Sequence, residues 1–218
     1  MCSSDLMTGE TVSARAAGRT DAGVHALGQV VSVRTETTIP SEGIRKGLGG
    51  LLPDDLTVRA VEDAAADFDA RFHATGKRYR YRLLVGPGPS ALRRRVCHWI
   101  ARPVDAERMR AAAGRLVGRH DFAAFQAADD GRADAVRTIA AIEVRTEDDE
   151  IVVDVVGDGF LKNMVRIVVG TLLEVGTGRH PPEWVAEVLA ARDRTRAGPT
   201  LPAKGLCLVE VHYAARAG

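Results

Sequence analysis

Asp21 lies in a glycine-bearing loop, Gly18-Arg19-Thr20-Asp21-Ala22-Gly23-Val24-His25-Ala26-Leu27-Gly28, with Arg19 two residues before it and His25 four after. An Asp-x-Gly in a loop is by itself an ordinary turn. A guanidinium within a few ångströms, however, lowers a carboxylate pKa by about 1 to 3 units and holds the acid in the charged form that a nucleophile or a base needs. The second candidate is Lys77-Arg78-Tyr79-Arg80-Tyr81-Arg82. In a strand, the period of two puts Tyr79, Tyr81 and Leu83 on one face and Arg78, Arg80 and Arg82 on the other. Rings for stacking beside cations for phosphates are what recognition of unpaired RNA requires, although tyrosines in a strand also read as core. Arg166, set amid an apolar run, points to a buried or cleft-facing partner; the plain alternative is a surface cation.

His25 has no second His, Cys or carboxylate at a ligand spacing, so it reads as structural or substrate-orienting. The six histidines are scattered and no cysteine pair suggests zinc, so no metal is expected. A Walker loop and a GxGxxG are both absent, which leaves nucleotide cofactors without a visible cradle.

The elements that carry these residues follow from periodicity. Thr11 to Ala17 and Gln29 to Thr35 alternate as strands on either side of the loop, and Ser41 is placed to cap a helix running to about Leu52. Strands are expected at Leu56 to Glu62, Lys77 to Val85, Val96 to Ala101 and Leu206 to Tyr213. Arg137 to Thr146 and Glu150 to Val156 read as a pair across the acidic turn Glu147-Asp148-Asp149. Helical spacing marks Asp105 to Val117, Phe160 to Val175 and Pro182 to Ala191, and puts Lys162 and Arg166 on one face. Gly86-Pro87-Gly88-Pro89-Ser90 is the strongest linker signal, dividing an amino-terminal catalytic-loop domain, 1–86, from a carboxy-terminal domain, 91–218. Strands and helices interleave without a parallel α/β rhythm, so the class is α+β with antiparallel sheets.

At 218 residues, with 45% hydrophobic and 27% charged residues, the chain has the make-up of a globular protein that builds its own core. The odd cysteine count, Cys2, Cys97 and Cys207, fits a reducing compartment, and neither a signal pattern nor a membrane-length apolar run occurs, so a cytoplasmic location is expected. Net charge is only +1, yet residues 70–104 contain no acid and carry Arg71, Lys77, Arg78, Arg80, Arg82, Arg93, Arg94, Arg95 and Arg102. That local field suits a polyanion; a solvated basic face is the alternative.

Five blocks, taken together, resemble the TruA-type tRNA pseudouridine synthases. They are Ala17 to Ala26; Phe68-Asp69-Ala70-Arg71-Phe72 with Ala74 to Tyr81; Asp121-Phe122 with Phe125; Phe160-Leu161 with Met164-Val165-Arg166; and Gly198-Pro199-Thr200 through Ala203-Lys204-Gly205-Leu206. They occur in the family's order and span Val12 to Tyr213. The resemblance implies two ferredoxin-like-derived subdomains with antiparallel sheets flanked by helices and a cleft between them. It implies isomerisation of uridine to pseudouridine in the tRNA anticodon stem-loop, at tRNA positions 38 to 40, with no cofactor, by a homodimer whose two subunits both touch each tRNA. On this resemblance Asp21 attacks C1′ or acts as base at C2′. Tyr79 stacks on the uracil and helps remove the C5 proton, and Arg19 and Arg166 pair with Asp21. Arg71, Lys77, Arg78, Arg80, Tyr81, His25 and Leu206 line the RNA or uracil site. The family usually has a strand, a Gly-Trp-Gln loop and a helix some forty residues ahead of the catalytic strand, whereas nine residues precede Glu10 here. The chain therefore reads as a fragment or a mispredicted start. The rival expectations are a non-catalytic RNA-binding protein, a truncated inactive synthase, or an aspartate-dependent hydrolase lacking a second carboxylate.

Overall fold

Alternation of polar and apolar side chains over Ala74–Val85 produces strand β4, to which most of the sheet is attached. The computed structural model describes residues 9–131 and 133–214; Cys2 lies outside the described residues. In chain order the elements are β1 (Ala14–Ala16), β2 (His25–Ala26), β3 (Val31–Val33), α1 (Ser41–Leu51), β4, β5 (His98–Ile100), α2 (Ala106–Ala113), β6 (Gly118–Asp121), β7 (Val136–Glu147), β8 (Glu150–Gly157), α3 (Met164–Gly176), α4 (Trp184–Ala191) and β9 (Leu206–Tyr213). The class is α+β, as the patterning indicated.

The chain divides into two compact units, 1–18 with 30–73 and 19–29 with 74–218. In the first, β1 and β3 pair antiparallel. The segment before β4 is tied back within this unit: Asp69 accepts from the Arg15 guanidinium and from the amides of Arg71 and Phe72, and Ser32 Oγ accepts from the Ala70 amide. Helix α1 buries none of its residues. Pro40, not Ser41, stands at its cap, and the Ser41 hydroxyl instead donates to Asp63. Leu56 to Glu62 forms no strand. Alternation alone does not make one without a neighbouring edge to pair with.

In the second unit the sheet order is β2-β9-β4-β8-β7-β6. Pairing is antiparallel except at β2–β9 and β4–β5. Strand β9 pairs with β4 from Ala74 to Tyr81, and β5 takes over at Leu83 to Val85. Because β5 continues that ladder, and the Gly86 amide donates to Ile100 O, the proline- and glycine-rich segment is a connection inside this unit. Strand β6 escaped periodicity because Gly118-Arg119-His120-Asp121 has no apolar alternation; its pairing with β7 makes it a strand. Helix α3 is buried at twelve of its thirteen residues, the exception being Arg166. It starts at Met164, four residues later than its spacing suggests, because Asn163 adopts the left-handed conformation at φ 62°. Lys162 thus precedes the helix rather than sharing its face with Arg166. Helix α2 starts on Asp105, whose carboxylate accepts from the amides of Glu107 and Arg108. It packs against the end of α3, where a Cβ on Gly176 would lie 2.7 Å from Met109 Cγ.

The acid-free stretch is matched from elsewhere in the sheet. Arg78, Arg80 and Arg145 converge on Asp154 of β8, which is 3% exposed. Arg80 Nε donates to Oδ1 at 3.0 Å and Arg78 Nη2 to Oδ2 at 3.2 Å. Arg82 and Arg93 likewise hold Glu150. Burial raises the Asp154 pKa, but hydrogen bonds from Arg80, Arg78 and Arg145 outweigh it and hold the acid at about 2. A folded pKa below the unfolded one contributes stability above the unfolded value and loses it as pH falls. Asp154 is expected to contribute on the order of 1–2 kcal/mol to the fall in unfolding free energy between about pH 4 and pH 2, a share that Asp154→Asn removes, as read by urea denaturation at stepped pH.

Candidate active site

The 19–29 loop packs within the second unit, held by backbone pairing and by the His25 side chain. β2 lies parallel to β9 with His25 opposite Cys207, and the amides of Leu27 and Gly28 donate to Leu208 O. Gly28 is required there, because a Cβ would stand 2.3 Å from Val209 O. The Val24 amide closes a turn onto Asp21 O, with Gly23 at φ +82°. This turn presents Asp21, whose side chain is 44% exposed. His25 Nε2 lies 2.6 Å from Arg95 O, so His25 ties the loop to the segment before β5.

Arg166 reaches Asp21 from the first turn of α3, with Nη1 3.5 Å from Oδ2, a long but genuine ion-pair contact. Its side chain is 16% exposed and its guanidinium is anchored twice more, Nε donating to Leu201 O at 2.6 Å and Nη1 to Asn163 Oδ1 at 2.7 Å. Leu201 belongs to a strap, 197–202, laid along α3. The Gly198 amide donates to Thr171 Oγ1, and Arg194 donates to Gly198 O and Thr200 Oγ1. A Cβ on Gly170 would lie 2.0 Å from Pro199 O. Helix and strap are thus in close backbone contact two residues before the carbonyl that anchors Arg166.

Tyr79 is 9% exposed, and Phe160 meets it edge-on with centroids 5.2 Å apart. Burial, with the Asp21 charge adding to it, pushes the Tyr79 phenol up to about 12, so it stays neutral at physiological pH. The structure therefore gathers Asp21, Arg166 and Tyr79 in one place.

The remaining candidates fall differently. Arg19 is exposed and makes no ion pair with Asp21 among the described residues; Arg166 is the cation that does. Tyr81 is fully buried, donates its hydroxyl to Pro202 O at 2.7 Å and has its pKa raised by burial, so it offers no ring face to a base. Arg78 and Arg80 are engaged by Asp154 and are not free phosphate ligands. Lys77 is half-buried on β4, and Leu206 is buried at the start of β9. Arg71 lies in the first unit, exposed, its guanidinium 5.7 Å from the Phe72 ring. No group of three or more metal-ligating side chains occurs among the described residues.

A family model described as tRNA pseudouridine synthase matches residues 112–214. A protein called tRNA pseudouridine synthase A from Myxococcus xanthus is 50% identical over 96% of this chain and 79% of its own length. Those of the same name from Acetivibrio thermocellus and Geotalea uraniireducens are each 44% identical over 95% of this chain and 85% of theirs. The chain belongs to the tRNA pseudouridine synthase A family. No helix among its described residues is long and apolar enough to cross a membrane.

Sequence reasoning about this synthase missed the groups that hold Arg166. Leu201 acts through its backbone carbonyl, which leaves no residue-type signal. Asn163 falls inside the helix expected from Phe160 to Val175, so its place before the first turn of α3 emerges only in the structure. Gly205 was visible only as part of a motif, yet a Cβ there would lie 2.6 Å from two atoms of the buried Tyr81 ring. Gly205→Ala is expected to cost about 1–3 kcal/mol in denaturant unfolding, because the ring is fixed by its hydrogen bond and has nowhere to go. Gly49→Ala in α1, with nothing within 4 Å, should be neutral or stabilising in the same measurement.

Proposed function

We propose that this chain isomerises uridine to pseudouridine in the tRNA anticodon stem-loop, with Asp21 as the acid on which the reaction turns. The observation that carries this reading is the exposed Asp21 carboxylate, presented by a turn toward a guanidinium pinned at two other points and next to a buried, neutral tyrosine. The reaction breaks the N1–C1′ bond, turns the uracil and joins C5 to C1′; the C5 proton leaves and N1 gains one, so no electrons or groups enter or depart. Asp21 acts either as nucleophile at C1′ or as base at C2′. Arg166 orients it through the 3.5 Å contact. Tyr79 packs against the uracil. Its neutral phenol accepts the C5 proton only as its own proton is passed on, since its ionisation lies near 12.

A uridine in a stem has to be extruded, at a cost of a few kcal/mol that phosphate contacts offset. Arg94 and Arg95 suit that task better than the β4 arginines: both are exposed, neither is ion-paired among the described residues, and His25 links Arg95 to the catalytic loop. A homodimer working in the cytoplasm completes the reading, by likeness to the family.

Asp21→Asn is expected to lower pseudouridine formation by about a hundredfold or more while leaving tRNA binding intact, measured by mass-spectrometric mapping and filter binding. Turnover near that of the unmutated chain would remove Asp21 from the chemistry; unchanged biological effect without turnover would favour a binding protein. The Arg94→Gln/Arg95→Gln double variant should flatten the slope of log affinity against log salt by about 1 to 2, whereas Arg80→Gln should leave it unchanged.

A further inference from the structure

Asn163 occupies the position before α3 where an asparagine side chain ordinarily accepts a hydrogen bond from an amide of the first turn. Here it accepts none. Its backbone is left-handed at φ 62°, a conformation asparagine tolerates better than most residues, and its backbone carbonyl accepts from the Ile167 amide. The side-chain oxygen is turned instead to Arg166 Nη1, at 2.7 Å. The turn itself is secured by other groups: Asp130 accepts from the Lys162 amide, and Lys162 O accepts from the Ala127 amide. The Asn163 side chain is therefore not what keeps its own backbone in place.

A guanidinium is planar and carries its donors in a rigid fork. Pinned at Nε alone, by Leu201 O, it can still roll and swing Nη1 away. A second anchor on Nη1 fixes the plane. The contact to Asp21, at 3.5 Å and partly exposed, is too long and too open to water to do this by itself. We propose that Asn163 is a positioning residue, whose side-chain carbonyl sets the plane of the Arg166 guanidinium so that Nη1 stays directed at Asp21. It touches no reacting atom and acts through Arg166. The proposal rests on the reading of Asp21 and Arg166 given above.

Asn163→Gly separates this role from a structural one, because glycine accepts the left-handed backbone at least as readily and removes only the carbonyl. Asn163→Asp keeps an acceptor oxygen at the same place. Steady-state kinetics on a transcribed tRNA, melting curves and tRNA affinity are measured for both variants, the unmutated chain and Asp21→Asn. A hydrogen bond to a charged group corresponds to about 10- to 100-fold, so kcat of Asn163→Gly should fall by that factor with KM and melting temperature nearly unchanged. Asn163→Asp should retain clearly more of the kcat. An Asn163→Gly protein with unaltered kcat, glycine and aspartate variants equally impaired, or a loss that follows a lowered melting temperature overturns the proposal. If the unmutated chain and Asp21→Asn form equal pseudouridine, the catalytic reading itself fails and takes this proposal with it; that comparison leaves Asn163 untouched, so the two failures are told apart.

Discussion

One arginine at the start of an otherwise buried helix organises the site. α3 is buried at twelve of its thirteen residues, and Arg166, in its first turn, is the exception. A guanidinium so nearly enclosed needs acceptors, because an unpaired cation in that setting costs several kcal/mol. The chain supplies two that are not themselves charged, Leu201 O and Asn163 Oδ1. Neutral acceptors satisfy the donors without cancelling the charge, and the positive field remains for Asp21.

The opposite arrangement appears on the far side of β4. There Asp154 and Glu150 hold the arginines that alternate with the tyrosines in shared ion pairs. The same strand thus presents two electrostatic surfaces, one quenched by acids from β8 and one where a neutral, buried phenol lies near an exposed carboxylate. Side-chain alternation separates the two at no further structural cost.

Much of this was legible in the residues. The antiparallel strands β4, β7, β8 and β9 announced themselves through alternation, and α3 through its run of apolar residues at helical spacing. Arg166 stood out as a cation amid an apolar run, whereas Asp21 and Tyr79, ordinary for a turn and a strand, were singled out by the charged residues around them. What could not be read was pairing at a distance. Nothing local to Arg78 or Arg80 tells that Asp154, more than seventy residues later, will face them, nor that Tyr81 rather than Tyr79 is the ring sealed beneath Gly205. Short strands such as β2 and β6 exist only through their partners. The left-handed turn at Asn163, which delays α3, is set by contacts from the 127–130 loop that no sequence window contains.

The path of the chain around the 19–29 loop has a practical corollary. That loop is an excursion, entered from β1 and left toward β3, and it is attached to β9 by only a two-residue parallel ladder and two further amide bonds. A polypeptide begun at Ala74 would keep Tyr79, Asn163 and Arg166 and lose the acid outright. A cut anywhere between residues 34 and 73 instead places Asp21 on one piece and Arg166 on the other. Sequence distance and spatial distance are thus decoupled: the two halves of this charge pair are 145 residues apart along the chain and in contact in the fold.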